Sequence, residues 1–269
     1  MFRAWNVSAG VCLMSVLIAG GPAGSAETSP ATLTMKPVLE LFTSQGCSSC
    51  PPADALLKSY VDGGKVIALS MPVDYWDYLG WKDSLASPAF SSRQRDYAKA
   101  RGDNMVYTPQ IIVNGMTHAV GSHKGEIDQA IEATERKLET QHVPLRVSLS
   151  NGKLTVEVGS APAGAGGPGA TLWLAMLRPT VEVAIDRGEN SGRKIIYSNV
   201  VHDWSQLGTW NGSKAVFERE LSDAGDSTAC AVLLQVGKSG PIIGAAEIRN
   251  LPLSAASSRA TASQIGTVK

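Results

Sequence analysis

Residues 38–57 read VLELFTSQGCSSCPPADALL, and this stretch decides the fold. Residues 38–42 are a short apolar run of the kind that makes a buried strand. Residues 43–50 form a loop rich in small side chains. Pro51 and Pro52 then open a helix, where a missing N–H costs little, and Ala53 to Leu57 continue it with apolar spacing. Gly63 and Gly64 end that helix, and residues 66–69 (VIAL) read as a second strand. Strand, helix and strand in this order imply a parallel pair with a right-handed crossover. Cys47 and Cys50 therefore fall where the loop meets the helix.

That placement carries chemistry. The thiolate is the nucleophile of disulfide exchange, and it needs a lowered pKa and access to its partner. Unpaired N–H groups and the dipole at a helix N-terminus favour negative charge on Cys47. Cys50, one turn on, is placed to resolve a mixed disulfide. The chain has four cysteines, and Cys12 and Cys230 lie far from this pair. So small a loop gains little from chain entropy, which argues against a purely stabilising bond, although an inert local disulfide is the alternative. A zinc half-site lacks the second CxxC or the HxxxH that would complete it.

Downstream, residues 90–101 suggest a helix. Thr108-Pro109 leads into the apolar run 110–113, Asn114-Gly115 supplies a hairpin turn, and residues 117–120 return. Residues 125–138 have helical spacing. After residue 142 the character changes. Alternating runs at 145–149 and 154–158 flank Asn151-Gly152, and further runs follow at 172–177, 181–185, 214–221, 229–236 and 244–248. These predict an antiparallel, sandwich-like β unit over 143–253.

The opening run, taken with YTPQIIVNG at 107–115, resembles the DUF1223 family of exported thioredoxin-like bacterial proteins, a domain of unknown function. The resemblance covers roughly residues 36–253. It implies an α/β fold with a thioredoxin-like N-terminal domain over 36–142, followed by the β-rich unit. It further implies Cys47 as attacking thiol, Cys50 as resolving thiol, and a cis-proline at Pro109 whose neighbour Thr108 offers its backbone to substrate. By the same likeness Glu40, the acid of the first strand, is either a buried proton acceptor for Cys50 or a strand-face glutamate reaching water or a salt bridge. Gly46 stands where thioredoxins have tryptophan, Ser48-Ser49 separate the cysteines, and one extra residue precedes the motif. The direction of the reaction stays open.

Other features have two readings each. Tyr75, Trp76, Tyr78 and Trp81 either line a groove or pack their segment onto its own domain. His118 and His123 are loop histidines that, with Cys47 and Cys50, could form a Cu(I) site, since soft thiolate and imidazole suit that ion. A non-catalytic binding protein is a further alternative. His202-Asp203 and Cys230 suggest no hydrolase, because no nucleophile elbow accompanies them and Cys230 sits in an apolar run.

The first 26 residues have the layout of a secretory signal: Arg3, an apolar core at 11–19, and small residues before a cleavage point near Ala26. Glycine, proline and serine from Gly20 onward break the stretch before the roughly 20 apolar residues of a span are reached. The reading is an exported protein, secreted or periplasmic, with no stable membrane insertion after cleavage. Charge is balanced at 24 basic and 24 acidic residues, and no basic run points to nucleic acid. The expected partners are protein or small-molecule disulfides and thiols, with no cofactor and no assigned oligomeric state. Residues 254–269, rich in Ser, Ala and Thr, read as a disordered tail.

Overall fold

The structure, a computed structural model, describes residue 1 and residues 35–162, 169–221 and 227–251. The signal-like segment after Met1 and the tail at 254–269 lie outside the described residues. No described helix is long and apolar enough to cross a membrane.

Strand β1 (Val38–Thr43) is buried along its whole length. It pairs in parallel with β2 (Ile67–Pro72), from Val38↔Ile67 to Thr43↔Pro72. Helix α1 (Pro51–Gly63) makes the crossover and stops at Gly64, whose φ of 65° closes the last turn. On the other side of β1 runs β3 (Gln110–Val113), antiparallel, which turns through Asn114 and Gly115 into β4 (Thr117–Val120). Both turn residues have positive φ, 49° and 67°, as a tight hairpin requires. Helix α2 (Pro88–Arg101) starts at Ser87, whose hydroxyl accepts from the Ala89 N–H. Helix α3 (Lys124–Leu138) completes this part.

The two faces of β1 meet different layers. Leu39 and Leu41 pack against Ala53 and Leu57 of α1. Val38 and Phe42 pack against Phe90 and Tyr97 of α2. Burying these four β1 side chains is worth about 1.5–3 kcal/mol each, enough to carry the charged Glu40 among them once it has a partner.

The C-terminal strands are β5 (Leu145–Ser150), β6 (Lys153–Val158), β7 (Ala170–Ile185), β8 (Arg193–Trp210), β9 (Ala215–Glu220), β10 (Ala229–Val236) and β11 (Ile242–Arg249). A small sheet has the order β5-β6-β9, while the main sheet has the order β11-β10-β7-β8-β2-β1-β3-β4. This overturns the expected architecture. The protein is not a thioredoxin-like α/β domain with a separate sandwich behind it; it is mostly β, built on one mixed eight-stranded sheet.

Strand β8 causes the difference. It joins the two sets of strands by lying parallel to β2 at Ser70↔Val200. At that join Pro179 and Asn199 fall opposite each other, between Arg178↔Val200 and Thr180↔Ser198. Proline brings no N–H to the ladder. Asn199 takes a positive φ of 47° and sends its side-chain N–H to the Ala68 carbonyl of β2, 3.0 Å away. The side chain thus replaces backbone pairing where the two sets of strands are joined.

Candidate functional site around Cys47 and Cys50

Cys47 and Cys50 are joined by a disulfide. Cys50 is the N-cap residue of α1, and its carbonyl accepts from the Ala53 and Asp54 N–H groups at 2.8 and 3.1 Å. The cystine is nearly closed off: Cys47 is 2 % exposed and Cys50 0 %, while Ser48 and Ser49 between them face solvent. The Ser49 hydroxyl lies 3.5 Å from Cys47 Sγ.

The loop is held from three sides. The Gln45 N–H donates to Asp83 at 2.8 Å, and the Gln45 side-chain oxygen accepts from the Trp81 indole at 2.8 Å. Gly46 backs onto Trp76: an added Cβ would stand 3.1 Å from the Trp76 Cβ, so a side chain there crowds the packing. The third hold comes from residues 186–192, which join β7 to β8. Asn190, fully buried, donates to the carbonyls of both Gln45 and Cys47 at 2.9 and 2.8 Å. Its neighbour Glu189 accepts from the Ser48 N–H at 3.3 Å. Asn190→Ala is expected to cost about 1–3 kcal/mol, since two buried carbonyls lose a shared donor. It should also speed reduction of the cystine by dithiothreitol, because the strap over Cys47 is loosened; urea melts and thiol release measure the two effects.

The Thr108–Pro109 bond is cis. Trp76 links it to the cystine loop, since its indole donates to the Thr108 hydroxyl at 2.8 Å while its Cβ backs onto Gly46. A Cβ placed on Gly121 would meet Leu41, Ala53 and Pro109 within 3.1 Å, which puts Pro109 beside the first turn of α1. Cys47, Cys50, Thr108 and Pro109 are therefore brought into one neighbourhood. Of the aromatic segment, Tyr75 and Trp76 pack on the α2-side core and Trp81 on the β7–β8 cluster, while Tyr78 is 78 % exposed.

Glu40 is elsewhere. It points to the α2 face, away from α1, and forms a two-pronged ion pair with Arg93 at 2.6 and 3.2 Å. The Tyr97 hydroxyl also donates to it, and the Gln235 amide of β10 donates to that hydroxyl at 2.8 Å. The Arg93 guanidinium stacks 4.1 Å over Trp204 of β8. Sheet alternation decides this: residues 39 and 41 face the helix that carries Cys50, and residue 40 does not.

Four residues after Cys50, on the buried face of α1 with Ala53 and Leu57, stands another carboxyl, Asp54. Neither of its oxygens has a partner in hydrogen-bonding geometry, nor do the Thr43 and Tyr197 hydroxyls. Burial pushes its pKa well above the usual carboxylate value; the Thr43 hydroxyl offsets part of this, and the like charge of Asp83 adds to it. Burial, then the charges of Asp54 and Asp83, likewise raise the Tyr197 phenol. Sequence reasoning missed Asp54 and Asn190. The signal for Asp54 was its place four residues after Cys50, on the side of a helix that must be buried.

The histidines have other partners. The His118 ring meets the Tyr107 hydroxyl at 2.8 Å and Asp103 at 3.4 Å, and His123 meets Glu126 at 3.0 Å. Among the described residues, no group of three or more His, Cys, Asp or Glu gathers to hold a metal. Cys230 is buried in β10, its thiol pushed up to about 11 by burial. His202 is exposed, with its ring 3.4 Å from Arg178.

Fold and site together define a mixed-sheet protein with a strapped, buried cystine at a strand-to-helix junction. The chain belongs to the family described as Protein of unknown function (DUF1223), whose model matches residues 38–235. The match takes in the cystine, Asp54, the cis-proline and the strap. The chain is also similar to a protein from Agrobacterium tumefaciens whose crystal structure is solved. The two are 35% identical, with a TM-score of 0.70 over 81% of this chain and 96% of that one. No curated protein matches the chain.

Proposed function

We propose that the protein is a thiol–disulfide oxidoreductase acting outside the cytoplasm on protein or small-molecule disulfides and thiols. The observation that carries this reading is the cystine at the N-cap of α1. A four-residue loop gains little from chain entropy. A helix N-terminus stabilises the thiolate that exchange requires. Cys47, the slightly more exposed residue of the pair, is the point of attack, and Cys50 closes or opens the bond behind it. The Glu189–Asn190 strap lifts to admit a substrate sulfur. The layout of residues 1–26 supports export, where disulfide chemistry operates.

The test is trapping. Full-length Cys50→Ser protein should accumulate mixed disulfides through Cys47, and these should disappear on adding dithiothreitol and be absent from Cys47→Ser. If no adduct forms, and the wild-type cystine has a reduction potential below about −300 mV, the bond is structural and the proposal fails.

The burial of the cystine favours a second reading, an inert staple in a binding protein. It predicts a bond that resists dithiothreitol until the protein unfolds. Following free thiols and tryptophan fluorescence together separates the two, since the oxidoreductase releases thiols while still folded.

A further inference from the structure

We propose that Asp54 is the proton acceptor for the Cys50 thiol when the dithiol closes, a role that rests on the oxidoreductase reading above. Cys50 and Asp54 stand four residues apart along one helical run, so their Cβ atoms lie about 5–6 Å apart on the same side. Both residues are buried, Cys50 at 0 % and Asp54 at 2 % exposure. A buried carboxyl with the Thr43 hydroxyl close by but neither oxygen in full hydrogen-bonding geometry costs free energy that a well-partnered one would not, and such groups concentrate where proton transfer is needed. The groups facing it are the Thr43 hydroxyl at the end of β1, the Tyr197 phenol of β8, and Asp83 from the segment before α2. The charged group acting on it has its own sign, so nothing there holds Asp54 permanently ionised. Burial raises the proton affinity of this carboxyl above that of a free aspartate, which favours its taking a proton from a neighbouring thiol and later returning it.

The step balances. Cys47, having attacked a substrate disulfide, holds one substrate sulfur in a mixed disulfide; the other half has left as a thiolate. Cys50 gives its proton to Asp54, and the resulting thiolate attacks Cys47 Sγ. The Cys47–Cys50 bond forms, and the bond from Cys47 to the substrate sulfur breaks. The substrate thiolate leaves and is protonated from water. Two electrons have passed from the dithiol to the substrate disulfide. In the oxidising direction Asp54 returns the proton to Cys50.

The experiment uses the reduced full chain and one equivalent of a chromogenic aryl disulfide, dithiobis-nitrobenzoate. The first aryl thiolate reports attack by Cys47 and the second reports closure by Cys50. Asp54→Asn should leave the first release intact and slow the second about 100-fold at neutral pH. It should also remove the inflection that Asp54 adds to the wild-type pH profile, leaving thiol ionisation alone. An unchanged second release with an unchanged profile overturns the role of Asp54 and leaves the oxidoreductase reading standing. If the wild-type dithiol gives no first release, that reading falls and this one with it.

Discussion

Glu40→Ala is expected to lower the stability of the protein by about 3–5 kcal/mol, the usual cost of stripping one partner from a buried ion pair. The loss comes less from the missing attraction than from what stays behind. Arg93 cannot lose its proton in place, and its side chain is 5% exposed, under Trp204 and beside Tyr97. Without Glu40 it is a buried cation whose remaining oxygen partner, the Tyr97 hydroxyl, is neutral. The pair also spans the molecule, since Gln235 of β10 donates to Tyr97, so its loss loosens β1, α2 and β10 together. Changing both partners, Glu40→Leu with Arg93→Met, should recover most of the loss, because a well-packed apolar pair replaces the charges. Urea unfolding of the single and double variants checks this. A single-variant loss under about 1 kcal/mol, or a double variant as unstable as the single, would sink the account. Cystine reactivity in Glu40→Gln should match the wild type, since Glu40 lies on the far face of the sheet.

Asp54→Asn should do the opposite and stabilise the oxidised protein at neutral pH, by about 1–3 kcal/mol. Burial raises the folded-state pKa of Asp54 above the unfolded value of 3.8. Between those two values the folded chain binds more protons than the unfolded one, so stability falls as pH rises. Whatever Asp54 contributes is thus fully present below the unfolded pKa and lost as pH climbs through the folded one. Asparagine has no charge to bury and shows no such loss. The two stability curves should coincide in acid and separate as pH rises, with the variant above. Parallel curves over the whole range would mean that Asp54 does not change its proton on burial.

Residues 38–72 were largely legible because local signals agree there. An apolar run, small residues, two prolines and a glycine pair mark β1, the loop and α1, and Asn114-Gly115 fixes the next hairpin. The architecture was not legible, and β8 is the reason. Its run RKIIYSNVVHDWSQLGTW is broken by Asn199 in a left-handed conformation, and its second half mixes polar and apolar residues without clean alternation. No period marks it as a strand, yet it is the element that merges the two sets of strands. Pro179 similarly split β7 into two apparent runs. At the site, the cysteines could be read from their spacing, and Thr108-Pro109 from the family resemblance. Asn190 could not, because its hydrogen bonds cross more than 140 positions of sequence. Of the two readings of Glu40 the salt bridge is the one found, and the choice was not legible for a simpler reason: a one-residue step along a strand reverses the face, and the sequence does not state which face the helix covers.

The Asn190 strap also sets an order of events in time. Cys47 and Cys50 belong to the first fifth of the chain, and the residue that holds the Cys47 carbonyl follows some 140 positions later. A chain emerging from its N-terminus presents both sulfurs to its surroundings well before Asn190 exists to fix their loop. Oxidants and reductants therefore meet this pair most freely during synthesis. In the finished molecule they must first displace the loop that Glu189 and Asn190 hold against residues 45–48.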